Sequence, residues 1–267
     1  MLLMFFFEQS LLLIGLYVFA TFLAATEIGY RLGSRFNRNK DPVFSEKQEK
    51  GVGIITSAML ALVAFVMAIS ISMADSRFDT RRKLVLEEAN AISTAYHRAQ
   101  GVGGVHGETI MRLLRDYTQL RVDFITVGEN QEQLKTIYEK ATVIQQRIWS
   151  SASELAARAP TPITALLLGA LAQVFDLSTA QRWALEGRVP FNVFKFLHFA
   201  SLMAVGVMGY YLSLNRRRHP VLSSILLFAF TAAILLIIDL DRPRGGNIQA
   251  DQSPLIWTLE SMKETAK

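Results

Sequence analysis

One stretch constrains the fold more than any other. Gly53 to Ala74 (GIITSAMLALVAFVMAISISMA) carries no charge and is long enough to cross a bilayer as a helix. With no glycine or proline to stop it, the run continues into Asp75-Ser-Arg-Phe-Asp-Thr-Arg-Arg, where the pattern stays helical but the composition turns heavily charged. Val85, Ala89, Ile92, Tyr96 and Ala99 follow at alternating steps of four and three, the signature of one buried helical face. A single helix is therefore expected to leave the membrane and continue as part of a helical bundle. The junction, with Asp75, Arg77, Asp79, Arg81 and Arg82, is the first place to look for function.

Apolar residues make up 51% of the chain and are concentrated in blocks, which makes this an integral membrane protein with the lipid bilayer as its solvent. The absence of cysteine excludes disulfides, thiolate catalysis and Cys-type zinc sites. The net charge of +5 sits largely beside the apolar blocks, where lipid headgroups account for it. No basic arm with interleaved aromatics is present, which argues against nucleic acid as a partner.

Three further spans are expected, at Leu11–Tyr30, Phe194–Leu214 and Val221–Leu240. Before the first block the only charged side chain is Glu8, and after it come Arg31, Arg35, Arg38 and Lys40. That is the reverse of a signal peptide and points to an uncleaved helix. Glu27 lies one turn inside the basic end, either as an interfacial carboxylate paired with Arg31 at i+4 or as a charge at a pore mouth. In the third span Gly206 and Gly209, with Ala200 and Ala204, favour close helix contacts. Four spans put the basic connectors Arg31–Lys50 and Asn215–Pro220 on one side, the cytoplasmic one by the positive-inside rule. The expectation is a multi-pass protein of the plasma (inner) membrane with both termini and the bundle outside. Arg77, Arg81, Arg82 and Lys83 weigh against that orientation.

Between the second and third spans, residues 76–190 read as an extramembrane helical bundle. The glycine-rich Gly101-Val-Gly-Gly-Val-His-Gly breaks the chain after the first helix. A helix over Glu108–Val127 places Ile110, Leu113, Leu114, Tyr117 and Phe124 largely on one side, and Gly128-Glu-Asn ends it. The next, Gln131–Arg158, repeats Leu134, Ile137, Ala141, Ile144, Ile148, Ala152 and Leu155, close to a heptad seam. Ile163–Leu185 reads as an amphipathic helix on the bundle or at the membrane surface, and residues 241–267 as a polar tail. The fold class is all-α: four transmembrane helices with a helical bundle inserted between the second and third.

No catalytic, cofactor-binding or metal-binding constellation is present. His97, His106, His198 and His219 are scattered without the i,i+4 pairing that zinc requires, and the glycine loop lacks the Gly-Lys-Ser/Thr that would cradle phosphate. What remains is a stripe and two charged clusters. The stripe is one face of the second span, Ser57, Ala61, Ala64, Ala68, Ser72 and Asp75, suited either to tight helix packing or to a pore. Its opposite carries Met59, Val63, Val66, Ile69 and Met73. The clusters are Asp75, Arg77, Asp79, Arg81 and Arg82 after the second span, and Asp239, Asp241 and Arg242 at the end of the fourth. Asp239 still lies within the apolar run, where a carboxylate needs a cation or water, and Arg77, Arg81 or Arg82 could supply the cation.

Met73-ADSRFDTRRKLVLEEANAISTAYHRA resembles the signature of a bacterial membrane family known as bestrophin-like, and Asp176-Leu-Ser-Thr-Ala-Gln-Arg and Asp239-Leu-Asp-Arg-Pro are similar to its other motifs, in the same order. The resemblance implies a likeness to bestrophins, pentameric ion channels with four membrane helices per subunit and a pore lined by the second. Carried over by position, Ser57 to Ser72 would follow the pore, with Phe65, Ile69 and Met73 at a constriction. The function so implied is a homo-oligomeric channel for inorganic ions. The alternative is a sensor or regulatory subunit whose 76–190 bundle binds a ligand or partner.

Overall fold

The computed structural model describes residues 10–37, 42–127, 130–214 and 218–264. Glu8, Arg38, Lys40, Gly128, Glu129 and Asn215 to Arg217, named above, lie outside them. Among the described residues the regular structure is helical throughout: α1 (Leu11–Phe36), α2 (Pro42–Val102), α3 (Gly104–Thr126), α4 (Gln131–Arg158), α5 (Pro162–Glu186), α6 (Phe191–Leu214), α7 (Pro220–Asp241) and α8 (Ser253–Glu264). Helix starts obey local chemistry. Side chains of Ser10, Asn130 and Thr161 accept from the backbone N–H groups of Leu13, Gln133 and Thr164, and Pro162 occupies a first-turn position where its missing N–H costs nothing.

The chain divides into two compact units, Met1–Ser76 with Arg188–Asp241 and Arg77–Gly187 with Arg242–Lys267. α2 is a single 61-residue helix that contributes to both.

Four stretches are long and apolar enough to cross a membrane, Leu11–Phe36, Gln48–Val102, Pro162–Leu214 and Pro220–Asp241; the first and last lie within the first unit, and the second and third run through both. α1 packs most extensively on α6, and small residues set the distance. Gly29 lies against the carbonyl of Gly206, Gly209 against the carbonyl of Thr26, and Gly33 against the Ser213 hydroxyl, so that a Cβ at any of the three would collide. The expected close contacts of Gly206 and Gly209 are thus made with α1. Nearby, the His198 ring stacks on Tyr17 and Phe22, with centroids 6.0 and 5.7 Å away. Glu27 accepts from Arg31 Nε at 2.7 Å, the i+4 pair expected, and also meets Arg218 Nη1 at 3.5 Å.

The second unit closes one apolar core from α3, α4, α5, α8 and the distal part of α2. Val85, Ala89, Ile92, Tyr96 and Ala99 are all buried in it, as are Ile110, Leu113, Leu114 and Tyr117 from α3. From α4 come Ala141, Ile148, Ala152 and Leu155, with Ile144 partly buried. Leu167, Ala170, Leu171 and Val174 put α5 on the bundle rather than leaving its placement open.

Two local expectations are corrected. The expected break in the glycine-rich stretch after α2 falls at Gly103 and Gly104, with φ of +64° and +62°. Among the described glycines these two have positive φ, the region that glycine favours, and α3 starts immediately at Gly104 instead of Glu108. The stretch expected to be a polar tail contains α8, which buries Leu255, Leu259 and Met262. Tyr96 donates its hydroxyl to the Met262 carbonyl at 3.2 Å, tying α8 to α2. The apolar positions of α8 stand at i, i+4 and i+7, a helical stripe diluted by polar neighbours.

Candidate functional site

Within the span of α2 the two helical faces differ in what covers them. Thr56, Val63, Met67, Ser70 and Ala74 are buried, at steps of three, four and seven. Ser57, Ala61, Ala64, Phe65, Ala68, Ile69 and Ser72 are exposed, and Met73 is half-buried. The small-residue stripe is therefore not what packs α2 within its own chain. Val63, read from sequence as part of the opposite face, belongs to the buried side, whereas Ile69 stays exposed. The hydroxyls of Thr56, Ser57 and Ser70 bond back to the carbonyls of Val52, Gly53 and Val66 at 2.8, 3.0 and 2.8 Å, so the helix satisfies them without outside help.

The charged clusters are handled in several ways. Asp75 and Arg82 are exposed. Asp79 meets Lys83 Nζ at 2.9 Å, one turn on, and that hydrogen bond with the ammonium charge holds its carboxyl below the usual range. Arg77, half-buried, has its guanidinium beside Gly187. Arg81 is buried and donates from Nε to the Ala184 carbonyl and from Nη2 to the Gly187 carbonyl, each at 3.2 Å. A cation on the carbonyls that end α5 satisfies orphan acceptors and complements the negative end of the helix dipole. Asp239, Asp241 and Arg242 are buried as well. Asp241 Oδ1 accepts from the Val189 N–H at 2.8 Å, fixing the chain where it enters α6.

The bundle core contains a polar group that periodicity alone had not isolated. Glu88 is fully buried, and Arg121 is 3% exposed. Arg121 donates from Nη2 to Glu88 Oε2 at 3.0 Å and brings Nε to 2.8 Å from Oε1, an ion-pair contact in which Nε itself makes no hydrogen bond. The Tyr117 hydroxyl donates to Oε1 at 3.0 Å, and Gln145 Nε2 approaches that hydroxyl at 3.5 Å. Burial pushes the Glu88 carboxyl up, against the opposing pull of Arg121 and Tyr117. Burial also pushes the Tyr117 hydroxyl up, helped by the Glu88 charge, so it stays a donor. A sequence signal existed. Glu88 falls on the apolar stripe of α2 and Arg121 on that of α3, one charge of each sign interrupting two buried faces.

With this geometry in view, comparison with known proteins is decisive at the level of family. The bestrophin-like domain family matches residues 11–255. The chain belongs to the bestrophin-like family. With four stretches apolar enough to cross a bilayer, it is a membrane protein of that family. The fold of this bestrophin-like chain is also that of solved structures. A bacterial bestrophin homologue from Klebsiella pneumoniae, solved by Zn-SAD phasing, is 16% identical with a TM-score of 0.62, covering 96% of each chain. Two single-substitution variants of a bacterial bestrophin homologue from the same organism give TM-scores of 0.64 and 0.67 at 16% and 15% identity. The first covers 96% of this chain and 97% of its own, and the second 96% of both. No curated protein matches the bestrophin-like chain.

Proposed function

We propose that this bestrophin-like protein assembles as a homo-oligomer, a pentamer as in bestrophins, around an ion pore lined by residues 53–74 of α2. The observation that carries the proposal is the exposed stripe Ser57, Ala61, Ala64, Phe65, Ala68, Ile69 and Ser72 on a span whose other face is buried. Small side chains and hydroxyls leave room for water and ions along such a stripe, and Phe65, Ile69 and Met73 supply the bulk for a hydrophobic constriction. Exposed Asp75 and Arg82 stand just past the span, where they would set the charge at its mouth. Arg77, Asp79, Arg81, Asp239, Asp241 and Arg242 form the supporting shell of the membrane exits in this reading.

Native mass spectrometry of the detergent-solubilised complex gives the stoichiometry, with a pentamer expected. Ion flux into liposomes should exceed that of empty vesicles. Phe65→Ala and Ile69→Ala should raise it several-fold by widening the constriction, while Met67→Ala, on the buried face, should instead lower the melting temperature. Folded, oligomeric protein that passes no ions would overturn the pore.

A further inference from the structure

The second unit contains a cavity of about 40 Å³ lined by Arg81, Arg121, Gln181, Arg244 and Gln249, with Phe124 among its apolar walls. One water needs roughly 10–15 Å³, so a small polyatomic ion fits. The three stretches that carry the family resemblance all reach it. Arg81 comes from the first and Gln181 from the second, while Pro243 closes the third just before Arg244. Among the described residues no acidic side chain lines the cavity.

Two of its groups have complementary needs. Arg244 is held in place: its guanidinium stacks 4.1 Å from the Phe124 ring centre, and Nη2 donates to the Tyr138 hydroxyl at 3.4 Å. No carboxylate among the described residues pairs with it. Gln181 is 4% exposed, and its buried Oε1 receives no hydrogen bond. A guanidinium fixed in a small cavity calls for anionic acceptors, and a buried amide oxygen calls for a donor. Water can answer the second need but leaves the positive charge uncompensated. An oxyanion that keeps an O–H answers both, accepting from Arg244 and donating to Gln181.

We propose that this cavity binds a small oxyanion bearing an O–H, of the hydrogen-phosphate class, between Arg244 and Gln181. Arg121 and Arg81 add positive potential at its wall while remaining engaged with Glu88 and with the end of α5. The proposal is independent of ion conduction, because binding is measured without flux.

The test uses the full-length protein in detergent at pH 7.5 and constant ionic strength. Phosphorus NMR line broadening titrates inorganic phosphate and methyl phosphate, and the melting temperature is followed against phosphate and sulfate. Saturable phosphate binding is expected, with sulfate, which has no O–H, about tenfold weaker. A phosphate monoester, with its second pKa near 6, is mostly without an O–H at this pH and should also bind more weakly than free phosphate. Arg244→Gln should weaken phosphate binding about tenfold or more, and Gln181→Leu should do so while leaving sulfate affinity unchanged. Helical circular dichroism confirms that each variant folds. Absence of saturable broadening with the folded wild-type protein overturns the site whatever the variants do. Equal affinity for phosphate and sulfate, or full retention of binding in Arg244→Gln, overturns it too.

Discussion

At the scale of single residues, Glu88 and Arg121 are the costliest choice in the bundle. Removing two charges from water is expensive, and their attraction offsets that cost only when the geometry is good and the remaining lone pairs are bonded. The ion pair, its Nη2 hydrogen bond and the Tyr117 hydroxyl satisfy both Glu88 oxygens, while Arg121 Nε makes no hydrogen bond. Arg121→Ala should therefore destabilise the bundle by about 3–5 kcal/mol, since it leaves a buried carboxylate without its cation. Replacing both partners together, as Glu88→Leu with Arg121→Leu, should cost much less than the sum of the two single changes, and a double-mutant cycle of melting temperatures would show it. Because the Glu88 pKa is raised on folding, the native state binds its proton more readily than the unfolded chain. The favourable contribution is then fully present below the unfolded carboxylate pKa and is lost as pH rises through the folded one. Glu88→Gln has no such proton to lose. The melting temperature of Glu88→Gln relative to wild type should therefore increase from pH 4 toward neutrality, and a flat difference would mean that the pKa is not raised.

At the scale of elements, glycine plays opposite parts in α5 and α6. On α6, Gly209 lies against the Thr26 carbonyl, so helix contact leaves no space for a side chain. Gly209→Val should push α1 and α6 apart and cost on the order of 1–3 kcal/mol or more, the range of overpacked sites. On α5, Gly169 is exposed with nothing within 4 Å of where a Cβ would stand. Gly169→Ala should stabilise α5 by roughly 0.5–1 kcal/mol through reduced backbone entropy. Thermal melts of the two variants should move in opposite directions. In α2 the same logic of small residues has a third outcome: Ala61, Ala64 and Ala68 are exposed in the single chain, which leaves them for water, lipid or another subunit.

At the scale of the whole molecule, loop charge bears on orientation in the membrane. The connectors 31–50 and 215–220 concentrate Lys and Arg, and we propose that they lie in the cytoplasm with the bundle outside. The cysteine-free chain makes this easy to test. A single Val105→Cys, at a position 79% exposed near the start of α3, should react with a membrane-impermeant maleimide in intact cells. Protection until the cells are opened would reverse the orientation.

The all-helical class, the four apolar stretches and the continuation of the second one as a single helix into the bundle were legible because each rests on hydropathy and a 3.6-residue period, which are local quantities. The buried faces of α2, α3 and α4 followed for the same reason. α8 was missed because three apolar residues among polar ones are a weak stripe until a core exists to receive them. The fate of each charge was not local either. Arg81 serves carbonyls more than a hundred residues away, and Glu88 is neutralised by Arg121 on another helix. Periodicity defines two faces of the second span, but only packing decides which of them is covered. The sequence by itself thus determined where helices form and which of their sides are apolar. Tertiary structure decided which side chains meet, because the electrostatic cost of a buried charge depends on its neighbours in space and not on its position in the chain.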